Sequence, residues 1–532
     1  MEKKETIGFV LIALILMVWM MYISPTPTPP KQQVSKSDSL THLEKKVESI
    51  SSSASPQISA EQIDSQQVGK FGKYFSHFGS GSEQVFHIET DLISADFTSK
   101  GGMLKKWELK KFTDWGKKNL VQLIENINDG DFSLLFSTTD GKIINTSDLY
   151  FSPNSKFNSI TVSNNNEFTL DYILQISETK KLIRRYVFKN DEYGFRAENI
   201  FVEMQNIISG EEYQLVWEHG LHLTEYNSVD EAGFAKALAF TGGEEKEIDA
   251  AKVGETPKSD FSGTTDWVAT NNKYFGIALI AKEPKAVGGF LHGVHLALDN
   301  HGVKEIYKVA LKLPFKGTRE EKTAVTVFLG PLDRGVLTSY NADLDKMLSL
   351  GWTWVVRPIS EYFILPLFNG LHSFIPNYGI VLILFSVIIK IILHPLTKKS
   401  MNSMKKMQKL QPMIAEIKEK HKNDPTKINQ ATMKLYSEYG INPAGGCLPV
   451  VLQMPILFAL FAVFRSTIDL RHATFAFWIT DLSIPDTIFT LPFTIPIFNV
   501  TRISGLALML GVTQFYQSRQ TTADPSQKAM AY

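Results

Sequence analysis

"ILFSVIIKIILHPLT", residues 383–397, is apolar enough to enter a bilayer, yet it carries Lys390 near its middle. A lysine at the bilayer centre costs on the order of 2.5–3.5 kcal/mol on insertion scales, so it persists only beside water, beside polar groups, or within reach of headgroups. Lys398 is the next cation of the stretch, roughly 12 Å further along a helix rising 1.5 Å per residue, so snorkelling to the headgroups is one reading. The other is a hydrated cavity. Ser386 and His394 stand one helical turn to either side of Lys390, and i, i+4 spacing reads as one polar face.

Working outward, the stretch is the first of three expected spans, at residues 378–396, 447–466 and 501–518. The second carries Gln453 and the third Thr513 and Gln514, further polar side chains for the same cavity. Residues 398–442 hold more lysines than acids, which places them in the cytoplasm. They read as a helical hairpin. Asp424-Pro425 suits the start of its second arm and Gly440 its end. In the first arm Met401, Met404 and Met407 recur at one-turn spacing, followed by Pro412 and Met413. Methionine is flexible and polarizable, so these residues read either as packing between the arms or as an adaptable surface that captures varied apolar segments.

Residues 1–23 contain a further apolar run flanked by Lys3 and Lys4, read as a retained anchor with its N-terminus in the cytoplasm. Residues 24–67 are rich in Pro, Ser, Gln and Lys and read as a disordered linker. Over residues 68–345 the pattern changes to period two, as in "FHIETDLISADFTSKGG", "ITVSNNNEFTLDYIL" and "KLIRRYVFKNDEYGFRAENIFVEM". Many short strands at this spacing imply a large β-sandwich, set outside the cytoplasm by the anchor before it. Residues 346–375 are aromatic and broken by Pro358 and Pro366, too interrupted for a span and suited to an interfacial amphipathic helix. The fold class is therefore α+β: an external β-sandwich, then a helical membrane core over residues 376–532.

Acidic and basic residues balance at 55 each among 532, so no global field argues for binding nucleic acid. The single cysteine, Cys447, excludes an internal disulfide. No nucleotide loop, nucleophile elbow or zinc-ligand spacing is present, so neither an enzyme nor a cofactor is expected. In "WEHGLH", Glu218, His219 and His222 cluster, but two histidines at odd spacing in one strand would face opposite ways, which argues against a metal there.

"HPLTKKSMNSMKKMQKLQPMIAEIKEKH", followed by "INPAGGCLPVVLQMPILFALF", resembles the membrane core of the YidC/Oxa/Alb insertase family. "FWITDLSIPD" resembles the external stretch that follows that core. "TSKGGMLKKWELKKF", "DWVATNNKYF" and "FLGPLD" resemble the large periplasmic domain of the long Gram-negative form. The resemblance implies a galactose-mutarotase-like β-supersandwich and a core of five helices in the inner membrane. It also implies a hydrophilic groove closed to the outside and open to the cytoplasm. Nascent membrane proteins are the implied clients, with the Sec translocon, the ribosome and the lipid bilayer as partners. The family's groove cation, usually arginine, corresponds to Lys390, and its polar neighbour one turn earlier to Ser386. A lysine keeps the charge but loses the planar fork that grips a carboxylate at two points. The family has two more spans after "DPSQKAMAY", so the sequence reads as a chain lacking its last two helices. The rival readings are a membrane-tethered carbohydrate-binding or carbohydrate-modifying protein, an ion-coupled transporter, and a structural tether acting through the external domain.

Overall fold

The structure, a computed structural model, describes residues 60–521 apart from 156, 165, 353, 422–423, 442–447 and 496–499. The expected anchor, most of the expected linker, Cys447 and the stretch after residue 521 lie outside the described residues. The last residues assigned to the linker are helical: α1 spans Ala60–Phe75. Its polar composition hid a short apolar stripe. Phe71 and Phe75, one turn apart, are both buried, and Phe75 packs edge-on against Phe136.

Alternation builds the β-domain. A five-stranded sheet is ordered Leu120–Gln122, Met103–Thr113, Ile93–Thr98, Val85–Glu89, Ser159–Thr161. In Val85–Glu89 the inward residues are Phe86 and Ile88, and in Ile93–Thr98 they are Ile93, Ala95 and Phe97. The glycine pair after this hairpin makes the next turn, with φ of +74° at Gly101 and +58° at Gly102, a backbone region open mainly to glycine. A fourteen-stranded sheet forms the second layer. Its strand Phe275–Ala281 is buried at every position, which accounts for a continuous apolar run in place of alternation. Phe97 and Trp107 join the layers. Phe97 touches Tyr186, Phe188 and Phe195 across the gap, and the Trp107 indole donates to the carbonyl of Leu329 at 3.1 Å.

The two runs in residues 181–204 pair antiparallel, Lys181–Lys189 with Gly194–Val202. The two runs in residues 160–174 do not pair with each other. Ser159–Thr161 runs parallel to Val85–Glu89 in the small sheet, whereas Glu167–Gln175 pairs with Lys181–Lys189 in the large one. The asparagine-rich link therefore crosses between layers.

Two short helices decorate the sandwich, α2 at Ser228–Ala232 and α3 at Arg334–Ser339. The expected interfacial segment is helical over α4, Val356–Ile359, a π-turn at Ser360–Ile364, and α5, Leu365–His372. Pro366, in the first turn of α5, has no N–H to donate, and the widened turn lies just before it. Next comes α6, Tyr378–Lys409, capped by the Asn377 side chain, which accepts from the amide of Ile380 at 3.1 Å. The first expected span and the first hairpin arm are thus one helix, continuous through Pro395. The hairpin is completed by α7, Gln411–Lys420, and α8, Pro425–Glu438, with Asp424 as N-cap and Gly440 at φ +61° after its end. The second expected span holds α9, Leu448–Ser466, and the third holds α10, Gly505–Thr521. Residues at the start of the third span are not helical. Phe489–Ile495 and Val500–Ile503 form a β-hairpin, favoured by the β-branched and aromatic residues of "IFTLPFTI". Among the described helices α6 alone is long and apolar enough to cross a membrane, and α9 has a shorter apolar stretch, Val451–Ser466.

Candidate functional site

The facing sides of α6 and α9 differ between their two ends. Toward the start of α6, Val381 and Phe385 are buried in one cluster with Ala459 and Val463, with Phe385 edge-on to Phe464 at 5.8 Å and the ring of Phe368 of α5 tilted against Phe464 at 5.6 Å. Beyond this plug the helices part around a cavity of about 390 Å³. Phe385, Ser386, Ile389, Lys390, Leu393 and Thr397 line it from α6, and Gln453, Leu460 and Phe464 from α9. The hydroxyls of Ser386 and Thr397 donate back to the carbonyls of Leu382 at 2.8 Å and Leu393 at 3.0 Å. Lys390 has no acidic partner among the described residues. The cavity thus offers one unpaired cation, one amide and two hydroxyls on a wall otherwise made of hydrocarbon.

Lys390, Ser386 and Gln453 come together here as three of the expected groove residues. His394 does not. At about 100° per residue, positions 386 and 394 diverge by about 80° around the helix, so the i, i+4 face drifts off the cavity. Thr397 instead returns to within about 20° of Ser386, and sequence reasoning missed it by stepping in fours rather than along the 3.6 period. Thr513 and Gln514 of α10 are exposed and do not line the cavity, and Thr513 bonds to its own helix at Met509 and Leu510. In the hairpin Met401, Pro412 and Met413 are exposed. Met407 instead packs on a small core of Leu410, Ile414 and Ile441 with Leu435 and Tyr436, so it binds the second arm. The side chain of Met404 lies outside the described ones.

A second set of groups, unread in the sequence, ties the β-domain to the ends of α9 and α10 near the plug. Asp230 of α2 accepts from Lys273 at 2.7 Å and also pairs with Arg465, in the last turn of α9. Burial pushes its carboxyl up, but the two cations hold it below the usual carboxylate range. Arg471 donates to Glu225 at 2.7 Å and lies over the rings of Phe275 and Tyr274. His472 faces the Asp481 carboxylate at 2.8 Å through Nδ1 and the carbonyls of Asp114 and Thr113 at 3.1 and 3.3 Å through Nε2. The contacts that join the β-domain to this segment, Asp230 with Arg465, Glu225 with Arg471 and Asp114 with His472, link residues more than 200 apart in sequence, so no local pattern signals them.

In "WEHGLH" the strand ends at Trp217. His219 turns to Asp131 and His222 to Glu125, each at 3.1 Å, and among the described residues no cluster of ligands suits a metal.

Comparison with known proteins places these features. A galactose mutarotase related enzyme from Lactobacillus acidophilus aligns with 46% of this chain and 97% of its own at 8% identity and a TM-score of 0.30, too low to bear on the fold. Residues 85–362 match the YidC periplasmic domain, and residues 370–532 match the family described as 60Kd inner membrane protein. The protein named membrane protein insertase YidC in Chloroherpeton thalassium is 37% identical over all of this chain and 89% of its own. Its namesake in Chlorobaculum parvum is 36% identical over 98% of this chain and 86% of its own. The matches over both the β-domain and the membrane region, with the full-length similarity, show that the chain belongs to the YidC family of membrane protein insertases.

Proposed function

We propose that this protein inserts nascent proteins into the bacterial inner membrane by way of the cavity between α6 and α9. The observation that carries this reading is the unpaired Lys390 beside Ser386, Thr397 and Gln453 in an otherwise apolar wall. In this reading α6, α9 and α10 span the membrane, the β-domain is periplasmic, and the lysine-rich hairpin is cytoplasmic. The apolar plug at Val381, Phe385 and Val463 supports a cavity shut toward the β-domain and open toward the hairpin. Met401 and Met413 on the hairpin meet the client first, beside the ribosome or the Sec translocon. Its acidic tail or loop then enters the cavity, where Lys390 attracts it across a medium of low dielectric constant. An aspartate at the bilayer centre costs about 2.5–3.5 kcal/mol, and a cation held in a polar-sided cavity offsets part of that. The client's apolar segment passes along the exposed side of α9, at Val451, Leu457 and Phe461, into lipid. Burial of apolar surface, at about 25 cal/mol per Å², drives this last step, and the protein itself consumes no nucleotide.

The test is insertion of a single-span client with an acidic tail into vesicles holding the full chain. Lys390→Ala slows it and Lys390→Glu slows it further, by about 70–400-fold if the whole of one residue's insertion cost returns to the barrier. Lys390→Arg keeps the rate. Insertion by Lys390→Glu at the parent rate would remove the charge from the mechanism.

A further inference from the structure

We propose that the corner of the β-domain formed by Trp115 and Tyr226 is a lipid-binding surface, which seats the domain on the phosphate-bearing headgroups of the outer leaflet. Trp115 is 54% exposed and Tyr226 57%, and their rings meet edge-on at 5.2 Å, so a large aromatic pair faces outward from two loops. Two contacts set the height of this corner. The carbonyl of Asp114, next to Trp115, lies 3.1 Å from His472, a few residues beyond the end of α9. Arg502, just before the start of α10, donates to the Tyr226 hydroxyl at 2.9 Å and lies over its ring. The aromatic pair is therefore fixed to the ends of two different helices, and the proposal rests on reading both as spans. Those ends then mark the boundary between hydrocarbon and water, where amphipathic rings collect.

The charge around the pair suits the same occupant. Lys111 and Lys118 are exposed and have no acidic partner among the described residues. Asp114, the nearest acid in the loop, is occupied by the amide of Lys118 and the side chain of Asn119. Exposed rings with free ammonium groups a few residues from Trp115 in sequence suit the boundary between acyl chains and phosphates.

The test uses the full chain with Cys447→Ser, labelled with nitrobenzoxadiazole at Lys118→Cys, in vesicles of phosphatidylcholine and phosphatidylglycerol. Lipids spin-labelled high on the acyl chain are expected to dim the label roughly two-fold, as for a group seated at the interface. Trp115→Ala with Tyr226→Ala should restore most of the emission. The same label at Leu457→Cys, on the exposed side of α9, reports the span itself. Emission from position 118 that is unaffected by spin-labelled lipid and open to iodide, while position 457 is dimmed, would overturn the proposal. A label shielded from iodide and lipid alike would overturn it in favour of a protein partner. An undimmed label at position 457 would refute the span reading and take the proposal with it.

Discussion

Glu225→Ala should loosen the docking of the β-domain on the segment after α9. The Arg471 side chain is 2% exposed and that of Glu225 11%, with Nε 2.7 Å from the carboxylate. Another arginine nitrogen, Nη2, already lacks a partner among the described residues, so the guanidinium depends on Glu225 and on the faces of Tyr274 and Phe275. Removing one member of such a buried pair costs about 3–5 kcal/mol, because the surviving charge stays buried without compensation. The loss falls on a local opening, since the pair joins two segments and lies outside both β-layers. The amides of Arg471, Ala473 and Leu482 close this segment through bonds to Ile468, Leu470 and Ala473. At about 1.4 kcal/mol per factor of ten, 3 kcal/mol should speed their hydrogen exchange about 150-fold in the purified full chain. Amides of strand Gly194–Val202 should not change. Replacing the pair with Glu225→Leu and Arg471→Met should be far milder, because two apolar groups leave no charge stranded. Exchange in Glu225→Ala within about threefold of the parent would refute the reasoning, since water would then be reaching the guanidinium.

Three further outcomes follow from the same structure. Burial pushes the Glu125 carboxyl up, but His222 and Lys304 together pull it down to about 2. A depressed acid stabilises the fold above its unfolded value near 4.5 and loses that contribution as pH falls toward 2. Acid titration followed by tryptophan fluorescence should therefore show Glu125→Gln less stable at neutral pH, on the order of 3 kcal/mol at most, with a flatter profile between pH 4.5 and 2. Gly194→Ala should destabilise the β-domain by several kcal/mol in thermal unfolding, because a Cβ there collides with the backbone carbonyl of Val327 on the paired strand. Asp424→Ala should remove the cap that accepts from the Lys427 amide at 3.0 Å, costing about 1 kcal/mol and speeding exchange in the first turn of α8.

How much of this was legible depended on the range of the interactions. Alternation exposed the strands, and Lys181–Lys189 with Gly194–Val202 could be paired because a four-residue turn, 190–193, joins them. Ser159–Thr161 could not be placed, since its partner, Val85–Glu89, lies far back in the chain and periodicity carries no record of which edge a strand joins. Lys390 and Gln453 stood out because polar groups in apolar helices are expensive. Thr397 did not, because a threonine at the end of an apolar run looks like its boundary. α1 was hidden because only Phe71, Phe75 and a few other apolar residues interrupt its polar sequence. The docking of Arg465, Arg471 and His472 was invisible because each reads locally as an ordinary surface residue beside a span.

If the cavity receives clients as proposed, that docking bears on how it works. A polar-sided cavity helps a client only while its other end stays shut, since a path open at both ends would leak. The seal consists of Phe385, Val463 and Phe464, and it can hold only if α9 keeps its register against α6. Arg465 follows the seal directly on α9, and its pair with Asp230 fixes that end of the helix to the β-domain. The same carboxylate is held by Lys273, itself only 8% exposed in its side chain and lodged against Tyr274, so the anchor point is rigid. Dispersion contacts fade within an ångström of separation, whereas an ion pair tolerates more. An apolar plug alone would loosen with small shifts of α9, and the ionic tie just beyond it limits those shifts. On the proposed function, the β-domain thus bears on the plugged end of the cavity and leaves the lysine-bearing end free to receive a client.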